Sequence, residues 1–355
     1  MMVRKYTYIF IDVEATLIRG KQNIIEIGAI KWLPDGTIEE FSQLIQPYKF
    51  RKLNAHIQKL TGISTEQLLH APSMKQVMPE FMQWCEGDTI LVAFGEFDRK
   101  VLEDELLRHR MDSSFLYPFV DFQQKYMIEN QLKEQPSLSK LLETFKIETN
   151  IQHRALADAI SLYNIFKESN GSELIEKQQT NEFGLLLSEF RQQEEVYDLY
   201  LTFIVGNISS SGSVDMKSIK SINEKLLCEV KEEQRNVSEG VTETVQRTII
   251  HPSEEVETFL KAIVSNIQNK VLITRSGLKQ LSKINRLHQV MFPKVETITL
   301  QQILHSEEAV NEFTLNSLSL PLYEEKLPGL LNKYEANILE EFEKRNLFTK
   351  EEIPI

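Results

Sequence analysis

The feature that most constrains this chain is an apolar, β-branched segment that ends in two acidic residues. Tyr6–Val13 predicts a strand that is apolar enough for the centre of a sheet, yet Asp12 and Glu14 stand at its end. Because strand side chains alternate between two faces, both carboxylates project from the same face. Two unpaired acids there are costly unless a cation joins them, and a hard divalent cation with oxygen ligands meets that need. A strand end that simply reaches solvent is the alternative, and the pair alone does not decide between the two.

The segments that follow predict a mixed sheet with helices packed on it. Two further strand-like runs, Ile24–Trp32 and Ile38–Gln46, predict an antiparallel meander with the first strand. A short apolar strand, Thr89–Phe94, and an amphipathic helix, Phe97–Arg110, come later. Strands first, then strands alternating with helices, indicate one α/β domain. The expected organisation is a domain over 1–170, a helical connector over 171–199 and a second α/β domain over 200–355.

Three more polar residues stand where helices are expected to begin. Asp98 opens the helix that follows the Thr89–Phe94 strand, where the helix dipole by itself would explain an acid. His153 and Asp158 are five residues apart, and five helical residues turn through about 500°. The two side chains therefore converge only if His153 lies in the loop before the helix and Asp158 about one turn inside it. Taken singly, they would be a surface histidine and a solvated helix residue.

Together these motifs carry a family resemblance. Asp-x-Glu on a strand, Phe-Asp at a helix start and His-x4-Asp at a last helix make residues 5–168 resemble a DEDDh-type 3′–5′ exonuclease of the DnaQ-like, ribonuclease-H-like superfamily. Leu60–Ile63 matches the recurring Leu-Thr-Gly-Ile segment of that family. Ile11–Thr16 followed by Glu26–Ala29 resembles its RNA-trimming branch, which includes KapD-type enzymes. The turn Ala93–Asp98 lacks the His-Asn of the proofreading pattern and is nearer to the RNA-trimming branch.

The resemblance implies a ribonuclease-H-like mixed five-stranded sheet flanked by helices, and a phosphodiester hydrolase. It implies two divalent ions, Mg²⁺ or Mn²⁺, with Glu14 also acting in catalysis. The implied metal ligands are Asp12, Glu14, Asp98 and Asp158. His153 would take the proton of the attacking water, since a histidine with its ordinary pKa of ~6.5 does so near neutral pH. Nucleoside 5′-monophosphates would then leave stepwise from the 3′ end of single-stranded RNA or of short 3′ overhangs.

Substrate contacts are expected from two sets of residues. By resemblance, the backbone of Ala15 and Thr16 approaches the terminal nucleotide, and Leu60 and Phe97 flank its base. Plain core packing is the alternative interpretation for Leu60 and Phe97. A basic cluster with interleaved aromatic residues is consistent either with phosphate contacts or with a solvated loop. Its members are Tyr48, Lys49, Phe50, Arg51 and Lys52.

The charge of −12 excludes a protein that coats nucleic acid or anionic membranes through bulk charge. Residues 1–170 hold 20 basic and 23 acidic side chains, a net charge of −3, and the rest of the chain holds 20 and 29, a net charge of −9. Four acids of the first part are expected to face metal ions, which would bring it to about +1. The charge is therefore compatible with a protein that holds one RNA 3′ end.

The second half repeats the order of features of the first. A helix, an apolar strand and a strand-to-helix step recur over Ser253–Leu304 as over Ser73–Tyr126, and Ser317–Ser319 would continue the match with Ser137–Ser139. This order predicts either a degenerate, inactive copy of the first domain or an unrelated α/β domain. In the first case Phe203–Asn207 would replace the Asp-x-Glu strand. The second domain would position substrate, form a homodimer or bind another protein.

Other sequence features favour a cytoplasmic enzyme. The two cysteines, Cys85 and Cys228, match no metal-ligand spacing and suit a reducing compartment, and no apolar run approaches the ~20 residues of a membrane helix. Two alternatives to an RNA exonuclease stay open: a DNA 3′-end exonuclease in repair or defence, and a non-catalytic regulatory or binding protein on a nuclease fold.

Overall fold

The computed structural model describes residues 6–148, 153–193, 196–209, 213–238, 241–275, 281–306, 308–310 and 333–347. The chain divides into two compact units, one made of residues 1–179 with 342–347 and one made of residues 180–341 with 348–355. Within the described ranges, no helix has the length and apolar character required to cross a membrane.

The first unit contains one mixed sheet of five strands in the order β3-β2-β1-β4-β5. The β1–β2 and β2–β3 pairs are antiparallel, and the β1–β4 and β4–β5 pairs are parallel. Its elements are β1 (Thr7–Ile18), β2 (Lys21–Trp32), β3 (Ile38–Leu44), α1 (Ala55–Thr61), α2 (Thr65–His70), α3 (Met74–Trp84), β4 (Thr89–Ala93), α4 (Phe97–His109), β5 (Phe119–Asp121), α5 (Phe122–Glu129), α6 (Leu138–Phe145), α7 (Ala155–Glu168) and α8 (Gly171–Lys177). The α/β class and the antiparallel meander predicted from the sequence are confirmed.

Alternation along β1 divides the core of this unit into two layers. Ile9, Ile11 and Val13 pack with the buried residues of α3 and α4 on one face of the sheet. Tyr8 and Phe10 pack on the other face against α7, where the Phe10 ring lies 4.9 Å from the Phe166 ring. Since side chains alternate, Asp12 and Glu14 continue the second series. The strand thereby directs both carboxylates to the face that α7 covers.

Residues 182–199, which the sequence predicted to be part of a helical connector, fall on strands where the structure describes them. Among the described residues of the 171–199 span, only α8 is helical, and the second unit begins at residue 180. The acidic and glutamine-rich segment around Glu182–Gln193 favoured a helix by composition. Pairing with the next strand, from Glu182 opposite Asn207 to Gln193 opposite Val196, overrides that local preference.

The second unit contains a six-stranded mixed sheet in the order β11-β10-β6-β7-β8-β9. Its described elements are β6 (Glu182–Gln193), β7 (Val196–Ile208), β8 (Val214–Ser238), β9 (Val241–Ile250), α9 (Glu254–Ile267), β10 (Val271–Thr274), α10 (Leu281–Leu287), β11 (Thr297–Thr299), α11 (Leu300–Leu304) and α12 (Glu335–Lys344), of which the last three residues belong to the first unit. The sequence did not predict β8 and β9. Their segment is rich in Glu, Lys and Gln and lacks a clear apolar alternation, so pairing rather than patterning defines it.

Five strands of the second sheet repeat the order and directions of the first. The row β8-β7-β6-β10-β11 corresponds to β3-β2-β1-β4-β5, with the first two pairs antiparallel and the last two parallel in each case. The step after the last strand is also alike, because Asp121 caps α5 by accepting from the amide of Gln124, and Thr299 caps α11 by accepting from the amide of Gln302.

These pairings correct the sequence alignment of the two halves. Phe203–Asn207 lies on β7, the counterpart of β2, whereas β6 is the counterpart of β1. Phe10 pairs with Val92 as Leu185 pairs with Ile273, so Leu187 stands where Asp12 stands in the first unit. The Ser317–Ser319 match lies outside the described residues.

Candidate active site

The two acids of β1 lie where this strand separates from β4. The parallel pairing of β1 with β4 ends at Phe10 and Val92, so the backbone of Asp12 and Glu14 has no partner strand on that side among the described residues. On the other side the antiparallel pairing with β2 continues, with a register shift directly after Glu14. The carboxylates therefore lie at the end of a cleft that opens between two strands of one sheet.

Asp98 fills the gap left by β4. Its Oδ1 accepts the backbone N–H of Val13 at 3.0 Å, and its side chain is buried. The residue lies in the first turn of α4, where a helix dipole favours an acid. The hydrogen bond places this carboxylate directly beside the strand of Asp12, so the structure brings together the first two sequence motifs.

Helix α7 brings Asp158 to the same place. Asp12, Glu14 and Asp158 each offer a carboxylate oxygen, and these three atoms lie within 4.8 Å of one another. Among the described residues this is the group of acids, histidines and cysteines with the geometry to hold a metal ion. Asp158 lies one turn into α7, as the His-x4-Asp spacing predicted.

Gly28 permits the close approach of α7 to the sheet. It pairs with Asp12 across β1 and β2, and a Cβ built on it would lie 2.0 Å from the amide nitrogen of Leu156 and 2.2 Å from the carbonyl carbon of Ala155. No other residue type fits at that separation. A backbone contact next to Asp12 thus sets the distance between the β1 acids and Asp158.

A buried ion pair fixes the start of the same helix. Arg154 donates from Nε to the two Glu26 oxygens at 3.1 and 3.0 Å and from Nη2 to Oε1 at 2.5 Å, while the Ala155 amide donates to Glu26 Oε2 at 3.1 Å. The Glu26 side chain is 1% exposed. Glu26 therefore caps α7 and pairs with Arg154, whose charge also lowers the pKa of Glu14 against the larger effects of burial and neighbouring acids that raise it.

Burial and mutual repulsion dominate the electrostatics of the cleft. Burial, with the neighbouring charges of Asp98, Asp158 and Glu14, raises the pKa of Asp12 well above its ordinary value. Burial, with the charge of Asp158, raises the pKa of Glu14 to about 8. Burial also raises the pKa of Asp98 to about 7, against the hydrogen bond from Val13. Without a cation, burial and mutual repulsion suppress the ionisation of these carboxyl groups. A bound hard cation favours their ionised form, because its positive charge outweighs their repulsion of one another. Oxygen donors and this spacing fit Mg²⁺ or Mn²⁺.

His153 lies in the loop before α7, two residues ahead of Ala155. Its side chain is exposed, and its φ of 44° is a left-handed backbone conformation. Its charge lowers the pKa of Asp158, against the larger effect of burial, which raises that pKa. The predicted loop position is thus observed, and the imidazole lies close enough to influence the acid cluster.

The four predicted substrate contacts differ in their exposure. Leu60 and Phe97 are 40% and 50% exposed, which excludes core packing as the explanation for either side chain. Thr16 is buried and Ala15 is half-buried, and both follow Glu14 on β1 after the register shift. Phe97 is the first residue of α4, directly before Asp98, and Leu60 lies near the end of α1.

Comparison with known proteins identifies the first unit. The model of the family RNase_T, described as exonuclease, matches residues 9–166. The DNA polymerase III subunit epsilon of Aquifex aeolicus is 34% identical over 163 residues, which are 45% of this chain and 78% of that protein. The chain belongs to the exonuclease family. Its first unit is a DEDDh-type 3′–5′ exonuclease domain, so the family, the fold class and the enzyme class predicted from the sequence are confirmed.

Further relatives of the exonuclease domain are parts of longer proteins. The PolC-type DNA polymerase III of Bacillus subtilis is 32% identical over 172 residues, 44% of this chain but only 11% of that protein. Among solved structures, the nuclease domain of 3′hExo, a DEDDh family member bound to rAMP, aligns with a TM-score of 0.43 and 21% identity, over 48% of this chain and 94% of that one. These matches lie in about half of the present chain.

Sequence reasoning missed the residues of the exonuclease domain that hold α7 in place. Glu26 and Gly28 were noted only as part of a family-like segment, and Arg154 was given no role. The signal was present as a charged residue, Glu26, within a run of buried apolar residues on β2. A buried acid requires a partner, which here comes from 128 residues further along the chain.

Proposed function

We propose that this protein is a metal-dependent exonuclease that removes nucleoside 5′-monophosphates stepwise from the 3′ end of single-stranded RNA or of short 3′ overhangs. The observation that carries the proposal is the convergence of Asp12, Glu14 and Asp158 within 4.8 Å in a cleft that Asp98 closes. Four carboxylates in one half-buried cleft are unfavourable without bound cations, and they match the ligand chemistry of divalent metals.

Asp12, Glu14, Asp98 and Asp158 would hold two divalent ions. When bound, such ions lower the pKa of a water and stabilise the charge that develops at phosphorus and on the leaving oxygen. The acids of the chain hold these charges at fixed positions, because Val13 orients Asp98 and the Glu26–Arg154 pair orients Asp158 through α7. Fixed positions matter, because charges that are already in place stabilise the transition state without a cost of rearranging the protein.

His153 is proposed as the general base. Its exposed imidazole at the mouth of the cleft can take a proton from the attacking water and pass it to solvent. Its electrostatic effect on Asp158 supports this placement. Glu14 shares in catalysis by orienting the same water. Leu60 and Phe97 would flank the terminal base, while the backbone of Ala15 and Thr16 would contact the sugar.

RNA is proposed as the substrate because the turn from Ala93 to Asp98 has the short form without His-Asn. DNA is the second candidate, because relatives at 34% and 32% identity are named as DNA polymerase III proteins. A cytoplasmic location is part of the proposal and is supported by the free, buried thiol of Cys85.

Incubation of 5′-labelled RNA and DNA oligomers with Mg²⁺ or Mn²⁺ tests the function. We expect a ladder of shortened RNA, a loss of about a thousand-fold or more in Asp12→Ala, and a loss of roughly 10²–10⁴-fold in His153→Ala. Asp104→Ala, at an exposed position of α4, is the matched control and should retain full activity. No ladder on either substrate, or a ladder that Asp12→Ala leaves intact, contradicts the enzyme; a ladder on DNA alone contradicts the RNA preference.

The second unit is proposed to be a catalytically silent copy of the exonuclease fold. The repeated strand order and the matching caps at Asp121 and Thr299 support common ancestry, and Leu187 at the place of Asp12 leaves this unit without that carboxylate. Such a unit would serve substrate positioning, a homodimer or a protein partner. If it had its own metal centre, Asp12→Ala in the full chain would leave measurable Mg²⁺-dependent hydrolysis.

A further inference from the structure

A large cavity lies on the first unit, on the opposite face of the sheet from the carboxylates. It has a volume of about 830 Å³ and is enclosed by the turn after β3, the start of α3, the end of α4 and the beginning of β2. Its floor is apolar, since Ile24, Ile45 and Met74 belong to the core on the α3 and α4 face. The volume falls within the range that proteins use to hold ligands.

The rim of this cavity carries a surplus of positive charge. Lys49, Lys75 and Arg110 are exposed, and in the part of the chain that the structure describes they form no ion pair. The acid among the lining residues is Glu105, which is buried and already neutralised by Arg108 at 2.8 Å and by His109, when protonated, at 3.3 Å. The three exposed cations are therefore available to an anionic ligand.

One wall of the cavity is held rigidly. Arg108 donates from Nη2 to the carbonyl oxygen of Gln22 at 2.5 Å, in addition to its ion pair with Glu105. These contacts join the end of α4 to the β1–β2 hairpin. Because this wall is already ordered, little conformational entropy is lost there when a ligand binds, while the phosphate contacts come from the exposed cations of the rim.

An exposed aromatic ring adds a second kind of contact. Tyr48 is 68% exposed on the cavity rim, and the ammonium of Lys49 lies 5.1 Å from the centre of its ring. In proteins that bind single strands, bases stack on exposed aromatic rings while neighbouring cations contact the phosphates, and Tyr48 with Lys49 matches this arrangement.

The cavity also adjoins the segment that follows the catalytic acids. Its lining residues Ile24 and Asn23 pair with Ala15 and Thr16, the first two residues after Glu14 on β1. Paired strands are about 4.8 Å apart. A strand of nucleic acid whose last nucleotide lies at Ala15 and Thr16 would therefore reach the cavity by passing around the β1–β2 hairpin to the other face of the sheet.

We propose that this cavity binds the phosphodiester backbone of the substrate upstream of the nucleotide being removed, with Lys49, Lys75 and Arg110 contacting phosphates and Tyr48 stacking on a base. The proposal rests on the proposed nuclease function and adds an anchoring site to it. Phosphates are common to RNA and DNA, so the cavity lengthens the bound strand without selecting between the two sugars.

The test compares a triple variant, K49A/K75A/R110A, with a charge-matched control, K133A/K140A/K167A. The control lysines are exposed and lie outside the cavity, on α6, on α7 and in the loop before α6. Hydrolysis of p-nitrophenyl thymidine 5′-phosphate reports the terminal-nucleotide site alone. Hydrolysis of 4-mers and 20-mers reports the contribution of the upstream strand. Fluorescence anisotropy of labelled 20-mers in EDTA reports binding without hydrolysis. Thermal unfolding checks that both variants fold.

We expect the triple variant to raise KM and Kd for 20-mers at least ten-fold, equally for RNA and DNA, and to leave hydrolysis of the nitrophenyl ester unchanged. The slope of log K against log salt should fall by about 2, since each phosphate contact to a single strand contributes ~0.7. Tyr48→Ala should weaken 20-mer binding about ten-fold with little change in this slope.

The outcomes separate the two proposals. If wild type hydrolyses neither the ester nor the oligomers, the nuclease function is wrong, while anisotropy still tests the cavity. If wild type is active and the triple variant binds and cleaves 20-mers as the control does, the cavity proposal is wrong and the nuclease function stands. An equal loss on the ester and on 20-mers would also contradict the cavity, because it would indicate damage to the active site.

Discussion

At the scale of single residues, Asp12 combines a catalytic role with a cost in stability. Its buried carboxyl is opposed by three further acids, and burial together with their charges raises its pKa. A side chain that is unfavourable in the folded protein yet stands at the centre of a cleft is typical of a functional site. The two strongest sequence predictions, the β1 acid pair and the His-x4-Asp motif, both rest on residues of this kind.

Replacing Asp12 by asparagine should stabilise the metal-free protein while it abolishes hydrolysis. The amide side chain would keep the shape and remove one of the repelling charges, so the unfolding midpoint in EDTA should rise by a few degrees, at roughly 2–4 °C per kcal/mol. Thermal unfolding followed by tryptophan fluorescence reports the first unit, because Trp32 and Trp84 are the two tryptophans of the chain. Mg²⁺ should raise the midpoint of wild type and not that of the variant. A lower midpoint for the variant in EDTA would contradict the repulsion.

Glu26 should act as a positioning residue rather than a catalytic one. Glu26→Gln removes the anionic partner of Arg154 and weakens the cap of α7. Because Arg154 is 37% exposed and keeps part of its hydration, we expect a loss of about 1–2 kcal/mol in the free energy of unfolding. It should also lower kcat more than it raises KM, because Asp158 moves with the helix. Glu143→Gln removes an exposed pair with Lys140 and should cost less than about 1 kcal/mol with unchanged kcat.

If Glu26→Gln lowered stability alone, with kcat unchanged in the folded fraction, the ion pair would be structural only. If it lowered kcat without a loss of stability, Glu26 would instead act directly in the cleft. Either result contradicts the positioning role, which requires both effects.

At the scale of elements, sequence patterns predicted the helices and strands whose formation depends on residues close in sequence. Apolar, β-branched runs and turn residues predicted β1, β2 and β3, and a short apolar run and an amphipathic pattern predicted β4 and α4 close to their observed bounds. The same reasoning found part of β7 at Tyr200–Val205 but failed over β6, β8 and β9, which become strands because neighbouring strands pair with them. The site was predictable where a motif carries the chemistry, as at Asp12, and not where a contact distant in sequence holds an element, as at Gly28.

Gly28→Ala should separate α7 from the sheet. The added methyl group would lie 2.0 Å from a backbone nitrogen that cannot rotate away, so the helix must shift and carry Asp158 with it. We expect weaker Mg²⁺ binding, measured by calorimetry, and activity reduced at least a hundred-fold. Gly36→Ala is the control, because its Cβ meets no atom within 4 Å and its positive φ adds only local turn strain. If Gly28→Ala bound Mg²⁺ with wild-type affinity, the close approach of α7 to the sheet would not determine the geometry of the metal site.

At the scale of the whole molecule, the acid cluster links the stability of the first unit to pH and to metal. The pKa of Glu14 is raised to about 8 and that of Asp98 to about 7, from ordinary values of 4.5 and 3.8. In each case the folded state holds a proton that the unfolded state has released between the two values. The folded metal-free protein therefore binds more protons, and its stability should fall as the pH rises from about 4 to about 8 and level off above.

Divalent metal should reverse this trend, because it binds the ionised carboxylates and competes with protons. The rise in unfolding midpoint caused by Mg²⁺ over EDTA should thus be larger at pH 8 than at pH 6, when both are followed by the fluorescence of Trp32 and Trp84. Glu14→Gln should flatten the decline in EDTA between pH 5 and pH 8, since that carboxyl, buried and repelled by Asp158, no longer titrates. A metal-free protein whose midpoint rises over this range would contradict the raised pKa values. It would imply that the cleft keeps its carboxylates ionised without a cation, and their repulsion would then no longer indicate a bound metal.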